Sequence, residues 1–475
     1  VTKPRLWIGG KWLETGATTE IVNPADGRPL ASAPLGDVQT LEAAVAAATQ
    51  AFSLARDQAP HQRAATLLAV ARGLEARHAE FVDSIVGEAG KPVTFAEAEV
   101  ARAVITFTTA AEEARRQQGE LLSPDAFPTG HGRLGLTKRF PLGVIYGLTP
   151  FNFPLNLVAH KVAPCIATGN TMVLKPAPRT PLTALLLAEV LEQAGVIPGQ
   201  VNIVTCPNEV AGRLIGDPRV QMVSFTGSPA VGWRLKAGCG KQRITLELGG
   251  NAGVIVHEDA DLSAAVSAIA LGGFGYAGQS CISVQRIFVH APVYDAFRAR
   301  FLEHVQTQVR WGDPRLRETV VGPMIDPAAV ERTLKLIAEA TTAGAKVLTG
   351  GRAQGGGRFL EPTVLEQVPA QLPICAGEVF APVVTLHSYE RFDEALAQVN
   401  DSVFGLQTGV FTQNLPRVLH AFSSLAVGGV LINDVPTFRV ENMPYGGIKD
   451  SGFGREGIRY AMEEMTEIRS LMIKL

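Results

Sequence analysis

Three residues of this 475-residue chain have side chains and settings suited to carbonyl chemistry. Cys281 closes a run of small residues, GGFGYAGQSC, just ahead of the apolar stretch VQRIFVH. Small residues let backbone approach a ligand closely, and a thiolate attacks carbonyl carbon well. An ordinary thiol, with a pKa of about 8.5, is mostly protonated at neutral pH and needs a helix N-terminus or a base beside it. Glu247 lies in RITLELGGN between Leu246 and Leu248. Partial desolvation there would raise its pKa and let it take a proton from water. Asn152, in FNFPLNL after VIYGLT, carries an amide able to donate to an oxyanion. Read singly, each has a plainer alternative: a buried structural cysteine, an acid on the solvent side of a strand, a turn or cap asparagine. Cys165, Cys206, Cys239 and Cys375 keep the structural reading.

Phosphate-binding signals are sparse. The chain has no G-K-[ST] in a P-loop context and no G-x-G-x-x-G after a strand. It does have SFTGSPAVGWRLKAG, a strand followed by Gly227, Ser228 and a helix, which places a helix N-terminus where a pyrophosphate could sit.

The elements that must hold these residues fall into two kinds. From about Leu41 to Arg116 the segments LEAAVAAATQAFSLA and RAATLLAVARGLEARHAEFVDSIV repeat apolar residues at three- and four-residue steps, which predicts amphipathic helices. From Val144 onward short β-branched runs (VIYGL, TMVLK, VNIVT, VQMVSF) alternate with helical segments such as TPLTALLLAEVLEQAG, whose Gly195 reads as a helix stop. A second alternating series is expected from Ile244 to about Asn433, through ITLEL, GVIVH, RIFVH, VVTLH and VLIND. Strands alternating with helices imply parallel sheets flanked by crossover helices. Residues 119–140 read as a Pro/Gly-punctuated hairpin, and EIRSLMIKL at the end as one more strand. The two are expected to pair with each other or with another subunit.

Composition narrows the function classes. Lys and Arg number 43 and Asp and Glu 45, a net charge of −2 that offers no broad basic surface for nucleic acid. Five cysteines with no C-x-x-C pair argue against a disulfide framework or a cysteine zinc site, so no metal site is expected and a reducing cytoplasm is the natural setting. No apolar stretch reaches the roughly 20 residues that span a bilayer, and the N-terminal VTKPRLWIGGKWLETG has no signal-peptide core.

Taken together, TPFNFP (149–154), VLKPAPRTP (173–181), FTGS (225–228), LELGG (246–250), GQSC (278–281), EVFAPV (378–383) and PYGGIKDSGFGRE (444–456) resemble, in order and spacing, the aldehyde dehydrogenase superfamily. The resemblance covers nearly the whole chain. It implies an α/β fold with two Rossmann-like parallel-sheet domains and a small β oligomerisation element. The dinucleotide-binding domain would take residues 1–118 and 141–246, with a return at 450–463. The catalytic domain would take 247–449, and strands at 119–140 and 464–475 would serve oligomerisation, in a homodimer or homotetramer. It further implies NAD(P)-dependent oxidation of a small aldehyde through a thiohemiacetal and a thioester on Cys281. Asn152 and the Cys281 backbone N–H would hold the oxyanion, and Glu247 would activate the hydrolytic water. Glu378, with Phe380 beside it, resembles the ligand of the nicotinamide ribose, and Lys175 that of the adenosine ribose. Thr149, Pro150, Phe151, Gly227, Ser228 and Leu248 would line the cofactor site, and Gly447 and Lys449 are structural.

One departure concerns the cofactor. Many NAD-preferring members carry a Glu where this chain has Pro178 followed by Arg179. Loss of that acid removes repulsion of a 2′-phosphate, and Arg179 or Arg213 could attract it, so use of both NAD and NADP is expected. For the substrate, NDVPTFRVENMPYGG (433–447) is similar to a bacterial branch that includes lactaldehyde and phosphonoacetaldehyde dehydrogenases. Arg439 would face an anionic or hydroxylated aldehyde, or else pair with Glu441 or brace a subunit contact. Phe153 and Ser280, next to Asn152 and Cys281, are uncharged and do not by themselves suggest an anionic substrate. Two rivals remain: a coenzyme-A-acylating member, for which a water-activating Glu247 would be superfluous, and a non-catalytic member of the fold.

Overall fold

A computed structural model describes residues 4–117 and 119–475. Its first sheet has a core of five parallel strands, Val144–Leu148, Thr171–Lys175, Val201–Ile203, Val220–Thr226 and Arg243–Glu247. Their spatial order is three-two-one-four-five in chain order, so the winding reverses between Val144–Leu148 and Val220–Thr226. Alternation along the first strand sorts its residues between two layers. Ile145 packs with the helices Pro60–Ala76, Val93–Arg116 and Asn156–Thr168, while Val144 and Tyr146 pack against Leu41, Ala44, Val45 and Ala48 of the helix Val38–Asp57. That last helix starts on a capping box in which Asp37 accepts from the Thr40 N–H at 2.8 Å, and it buries residues at steps of three and four.

The second sheet carries six mutually parallel strands, with Lys346–Thr349 antiparallel at one edge. Its centre is Val383–Tyr389, Val284–His290, Ala252–Val256 and Gln407–Phe411. Near-continuous burial of AGVIV and VQRIFVH follows from helices on both faces of a parallel sheet.

One sequence expectation needs correction, one region carries strands that the sequence did not signal, and one expected pairing is formed. ITLEL does not open the second series: Arg243–Glu247 pairs in parallel with Val220–Thr226 and closes the first sheet, and the second begins at Ala252. The N-terminal region contains strands as well as helices: Leu6–Ile8 pairs antiparallel with Lys11–Leu13 and with the edge strand at Trp7↔Ile203, and Ala17–Val22 forms a hairpin with Pro29–Leu35. The short apolar runs LWI and KWL are too brief to show a period. The segment 119–140 forms the expected hairpin and, as expected, pairs with the C-terminal strand. Leu121–Leu122 pairs with a long strand, Arg133–Pro141, which pairs on its other side with Thr466–Lys474 of the same chain, from Thr466↔Pro141 to Lys474↔Arg133. Among the described residues, no helix is long and apolar enough to cross a membrane.

Candidate active site

A cavity of about 730 Å³ lies between the two sheets and is lined by Cys281, Glu247 and Asn152 among others. On the first sheet it sits at carboxyl ends, where the loops after Leu148 and Thr226 flank the winding reversal. The second sheet contributes the amino ends of its strands instead. Cys281 precedes the strand Val284–His290, Glu378 precedes Val383–Tyr389, and Gly249 precedes Ala252–Val256.

Cys281 is presented by an unusual turn. The helix Leu262–Phe274 ends, and Tyr276 (φ 52°), Ala277 (φ 55°) and Gly278 (φ 63°) follow in left-handed conformation. Two non-glycine residues in that region cost free energy and persist only where surroundings hold them. The Tyr276 hydroxyl donates to the Ala89 carbonyl at 3.2 Å, and its ring meets Phe153 edge-on at 6.2 Å. A Cβ on Gly278 would come within 2.3 Å of the Ala381 carbonyl oxygen. Gln279 is fully buried, donates to the Pro323 carbonyl at 3.2 Å and accepts from the Ile325 N–H at 2.9 Å. The thiol of Cys281 lies 3.2 Å from the Tyr445 hydroxyl. Burial pushes that thiol up to about 12, against the stabilising hydrogen bond from Tyr445.

Glu247 is the last residue of its strand and is 4% exposed. Both carboxylate oxygens are buried without a hydrogen-bond partner. Burial, reinforced by the nearby charge of Glu456, holds its carboxyl well above the usual range. Glu456 is driven the other way: although buried, it is held low by Lys161, whose Nζ is 3.3 Å away, and by Arg439. Two neighbouring carboxyls are thus pushed in opposite directions. Asn152, also buried, donates from Nδ2 to the Gln279 carbonyl at 3.0 Å, and its Oδ1 has no partner.

A second set of residues faces the first sheet's winding reversal. Pro150, Phe151, Gly227, Ser228, Leu248, Glu378 and Phe380 all line the cavity. Phe151 and Phe380 meet edge-on at 5.9 Å, and Phe380 adopts φ 54°. The Glu378 carboxylate accepts from the Gly250 N–H at 3.1 Å, and burial pushes it up to about 7. A Cβ on Gly249 would stand 2.3 Å from that carboxylate. Ser228 caps the helix Pro229–Gly238 without a side-chain bond, and the hydroxyls of Thr149 and Thr226 are buried and unpartnered. An open helix N-terminus with orphaned hydroxyls beside it fits a bound dinucleotide pyrophosphate. Thr149, Lys175 and Pro178 stand outside the cavity wall. Lys175 donates to Asn208 Oδ1 at 2.9 Å, Pro178 is exposed, and Arg179 pairs with Asp326 at 2.7 Å.

The far wall carries charge. Arg439 lines the cavity with its guanidinium 3.8 Å over the Tyr445 ring. It pairs with Glu456 at 3.2 Å, and its Nε is buried without a partner. The pairing with Glu441 expected from the sequence is not formed, because Arg102 (3.2 Å) and His160 (2.8 Å) occupy that carboxylate. Lys91 lies 3.6 Å over the Phe153 ring and pairs with Glu99, which accepts the backbone N–H groups of Leu155 (2.9 Å) and Asn156 (3.1 Å). Phe153 and Ser280 line the same cavity.

A family model described as "Aldehyde dehydrogenase family" matches residues 12–471. The chain belongs to the aldehyde dehydrogenase family. It is similar to the 3-sulfolactaldehyde dehydrogenase of Priestia aryabhattai, 40% identical over 99% of this chain and 98% of that one. Among solved structures it is similar to aldehyde dehydrogenase 21 of Physcomitrella patens in complex with the reaction product succinate. That likeness has a TM-score of 0.97 and 39% identity, covering 100% of this chain and 99% of the other. It is similar also to the glyceraldehyde-3-phosphate dehydrogenase of Methanocaldococcus jannaschii complexed with NADP, with a TM-score of 0.92 and 35% identity over 97% of this chain and 100% of the other. The protein is therefore an oxidoreductase that oxidises an aldehyde to an acid with NAD or NADP.

For an aldehyde dehydrogenase read from sequence, the missed residues are Lys91, Glu99, Arg102, His160, Lys161 and Tyr445. A signal existed for some of them. Glu99 and Thr106 interrupt the apolar stripe Ala96, Val100, Ala103, Phe107 of the helix Val93–Arg116, and polar residues on a buried stripe must find partners. In the helix Asn156–Thr168, buried on every side, His160 and Lys161 break the same rule.

Proposed function

We propose that Cys281 is the nucleophile and that the substrate is a small aldehyde bearing an anionic group. The observation that carries this is one cavity holding the thiol, the partnerless carboxyl of Glu247 and the Asn152 amide at one place, with Arg102, Arg439 and His160 on its wall. Sγ bonds to the aldehyde carbon as the thiol passes its proton to solvent water, and the carbonyl oxygen becomes an oxyanion. Asn152 Nδ2, with one N–H still to give, and the Cys281 backbone N–H donate to it. A bound oxidised nicotinamide would supply the acceptor for the hydride of that carbon and a positive charge in the cavity. Glu247, ionised, then takes a proton from water as the water attacks the thioester, and the carboxylate product leaves as the thiol re-forms. Glu378 and Phe380 would hold the nicotinamide half, Ser228 and the helix it caps the pyrophosphate, and Lys175 the adenosine ribose. The relatives named for 3-sulfolactaldehyde and bound to succinate support an anionic substrate.

Both cofactors are read as accepted. Pro178 presents no carboxylate to repel a 2′-phosphate, although Arg179, already engaged by Asp326, attracts it less than a free arginine would. Oligomerisation, as a homodimer or homotetramer, is supported by Ile468, Leu471 and Met472 on the terminal strand and by Leu415, Leu419 and Phe422 on the helix Leu415–Ser424, all exposed. The five free cysteines suit a reducing cytoplasm.

The test is reduced-nicotinamide production with small aldehydes carrying carboxylate, sulfonate, phosphate or no charge. It is run with NAD and with NADP, without coenzyme A, beside Cys281→Ala. Activity lost in the variant and highest for anionic aldehydes is the expected result. Activity that needs coenzyme A would replace water by a thiol as acceptor, equal rates for neutral aldehydes would remove the anionic preference, and strict NAD dependence would remove the dual cofactor use.

A further inference from the structure

The active site uses the amino ends of the second sheet, which leaves the carboxyl ends free for other work. There, three neighbouring strands end in residues that face one another. His257 follows Ala252–Val256, His290 ends Val284–His290, and Tyr389 ends Val383–Tyr389, with His290 in register with Tyr389. The winding also reverses at this place, between Ala252–Val256 and Gln407–Phe411, where parallel sheets open a crevice at their carboxyl ends.

His257 Nδ1 lies 2.8 Å from the Tyr389 oxygen, whose hydroxyl also stands 3.4 Å from the Val256 carbonyl. His257 Nε2 is buried without a partner. His290 Nε2 lies 3.1 Å from the Glu390 carbonyl, which can only accept, so Nε2 carries the proton and Nδ1 is bare. That nitrogen too is buried and lacks a hydrogen bond, and it faces the Glu258 carboxylate at 3.6 Å. One ligand atom from each of His257, Glu258 and His290 lies within 4.8 Å of the other two. Unpartnered ring nitrogens on His257 and His290 beside a carboxylate make a donor set that a cation would satisfy.

We propose that His257, His290 and Glu258 form a binding site for a divalent transition-metal ion of the zinc class. Neutral imidazole with one carboxylate is the donor set such ions take, with a fourth position left to water. The bonds from His257 to Tyr389 and from His290 to the Glu390 carbonyl are the outer contacts that orient metal-binding histidines. Phe392, edge-on to His257 at 5.5 Å, supplies an apolar wall. Nearby Asp259 is already engaged by Thr412 and by Arg417 at 3.2 Å, which leaves it out of the donor set and balances the arginine's charge. The rings are stacked at 4.2 Å and 12°, so ligation tilts them toward a common ion and draws in the exposed side chain of Glu258. The expectation of no metal site rested on cysteine spacing; this one is built from histidines on separate strands.

The experiment is equilibrium dialysis of the full chain against zinc ion alone, in a Cys281→Ala background so that the active-site thiol does not compete. About one zinc per chain is expected at neutral pH, falling away below pH 6 as protons displace the metal. His290→Asn should abolish this uptake. Glu258→Gln, at an exposed position that leaves the core untouched, should weaken it at least tenfold, and Tyr389→Phe about tenfold by freeing the His257 ring. Circular dichroism confirms that each variant is folded. Zinc uptake unchanged in both Glu258→Gln and His290→Asn overturns the proposal, as does a parent protein that takes up no zinc.

Discussion

Asn152 gives one amide proton to the Gln279 carbonyl at 3.0 Å, which ties the loop after the first sheet's first parallel strand to the residue two places before Cys281. The proposed oxyanion donor and nucleophile are therefore aligned by a bond across the cleft. Asn152→Ala removes both that tie and the second donor. A fall in kcat of about 10²- to 10³-fold is expected, with cofactor affinity little changed. Steady-state kinetics beside a cofactor-binding titration checks this, and a loss confined to cofactor affinity would move Asn152 out of the oxyanion role.

Glu247→Gln should separate the two halves of the reaction. Hydride transfer needs no water-activating base, whereas thioester hydrolysis does. A rapid burst of about one reduced nicotinamide per active site is expected, followed by turnover slowed about 10²- to 10⁴-fold. Intact-mass measurement should find the acylated Cys281. Slowing without a burst would place Glu247 in the first half instead.

Without cofactor the thiol of Cys281 is held at about 12. Its alkylation by iodoacetamide should then rise about tenfold per pH unit from pH 7 to pH 10 without a plateau. Tyr445→Phe, which removes the hydroxyl 3.2 Å from Sγ, should slow it further. Bound oxidised cofactor should speed it by placing positive charge in the cavity. A plateau below pH 9 in the cofactor-free protein would show a thiolate stabilised by groups not assigned here.

Arg102 reaches the cavity with its side chain still 31% exposed, so it can be changed at little cost to the fold. Arg102→Met should lower kcat/KM for anionic aldehydes about tenfold or more and leave neutral aldehydes within about twofold. Equal losses for both classes would make Arg102 a brace for Glu441 rather than a selector.

Burial pushes Lys91 down to about 8, although Glu99 pulls it upward. A lysine whose folded value lies below its unfolded value of about 10.4 disfavours folding while the folded form is charged. Its contribution to stability therefore rises from pH 8 to pH 10.4, where the unfolded chain binds the extra proton. Lys91→Met should abolish that rise, read as the difference in Tm between pH 8 and pH 10 against the parent. An identical difference in both proteins would mean that Lys91 is not the titrating group.

The sequence made the centre of the site legible because Cys281, Glu247 and Asn152 each sit in short local motifs, and the strands that carry them have clear β-branched patterns. What it hid was long-range. Arg102 and its partner Glu441 are far apart in the chain, and nothing local marks Arg102 as a cavity residue; Arg439 stands in a local motif, but its partner is Glu456. The boundary error at ITLEL has a similar cause. A strand's sequence states its period but not which sheet receives it, and here Arg243–Glu247 hydrogen-bonds backward to Val220–Thr226. The left-handed turn at Tyr276 and Ala277 was equally unreadable, since it is imposed by contacts with Ala89, Phe153 and Ala381 rather than by residue type.

Glu247 ends the first sheet and Ala252 begins the second, with only 248–251 between them. The proposed base thus stands on one sheet, while Cys281 stands on the loop that enters a strand of the other. A small rotation about that four-residue hinge would change the reach from Glu247 to a thioester on Cys281 without unfolding either layer.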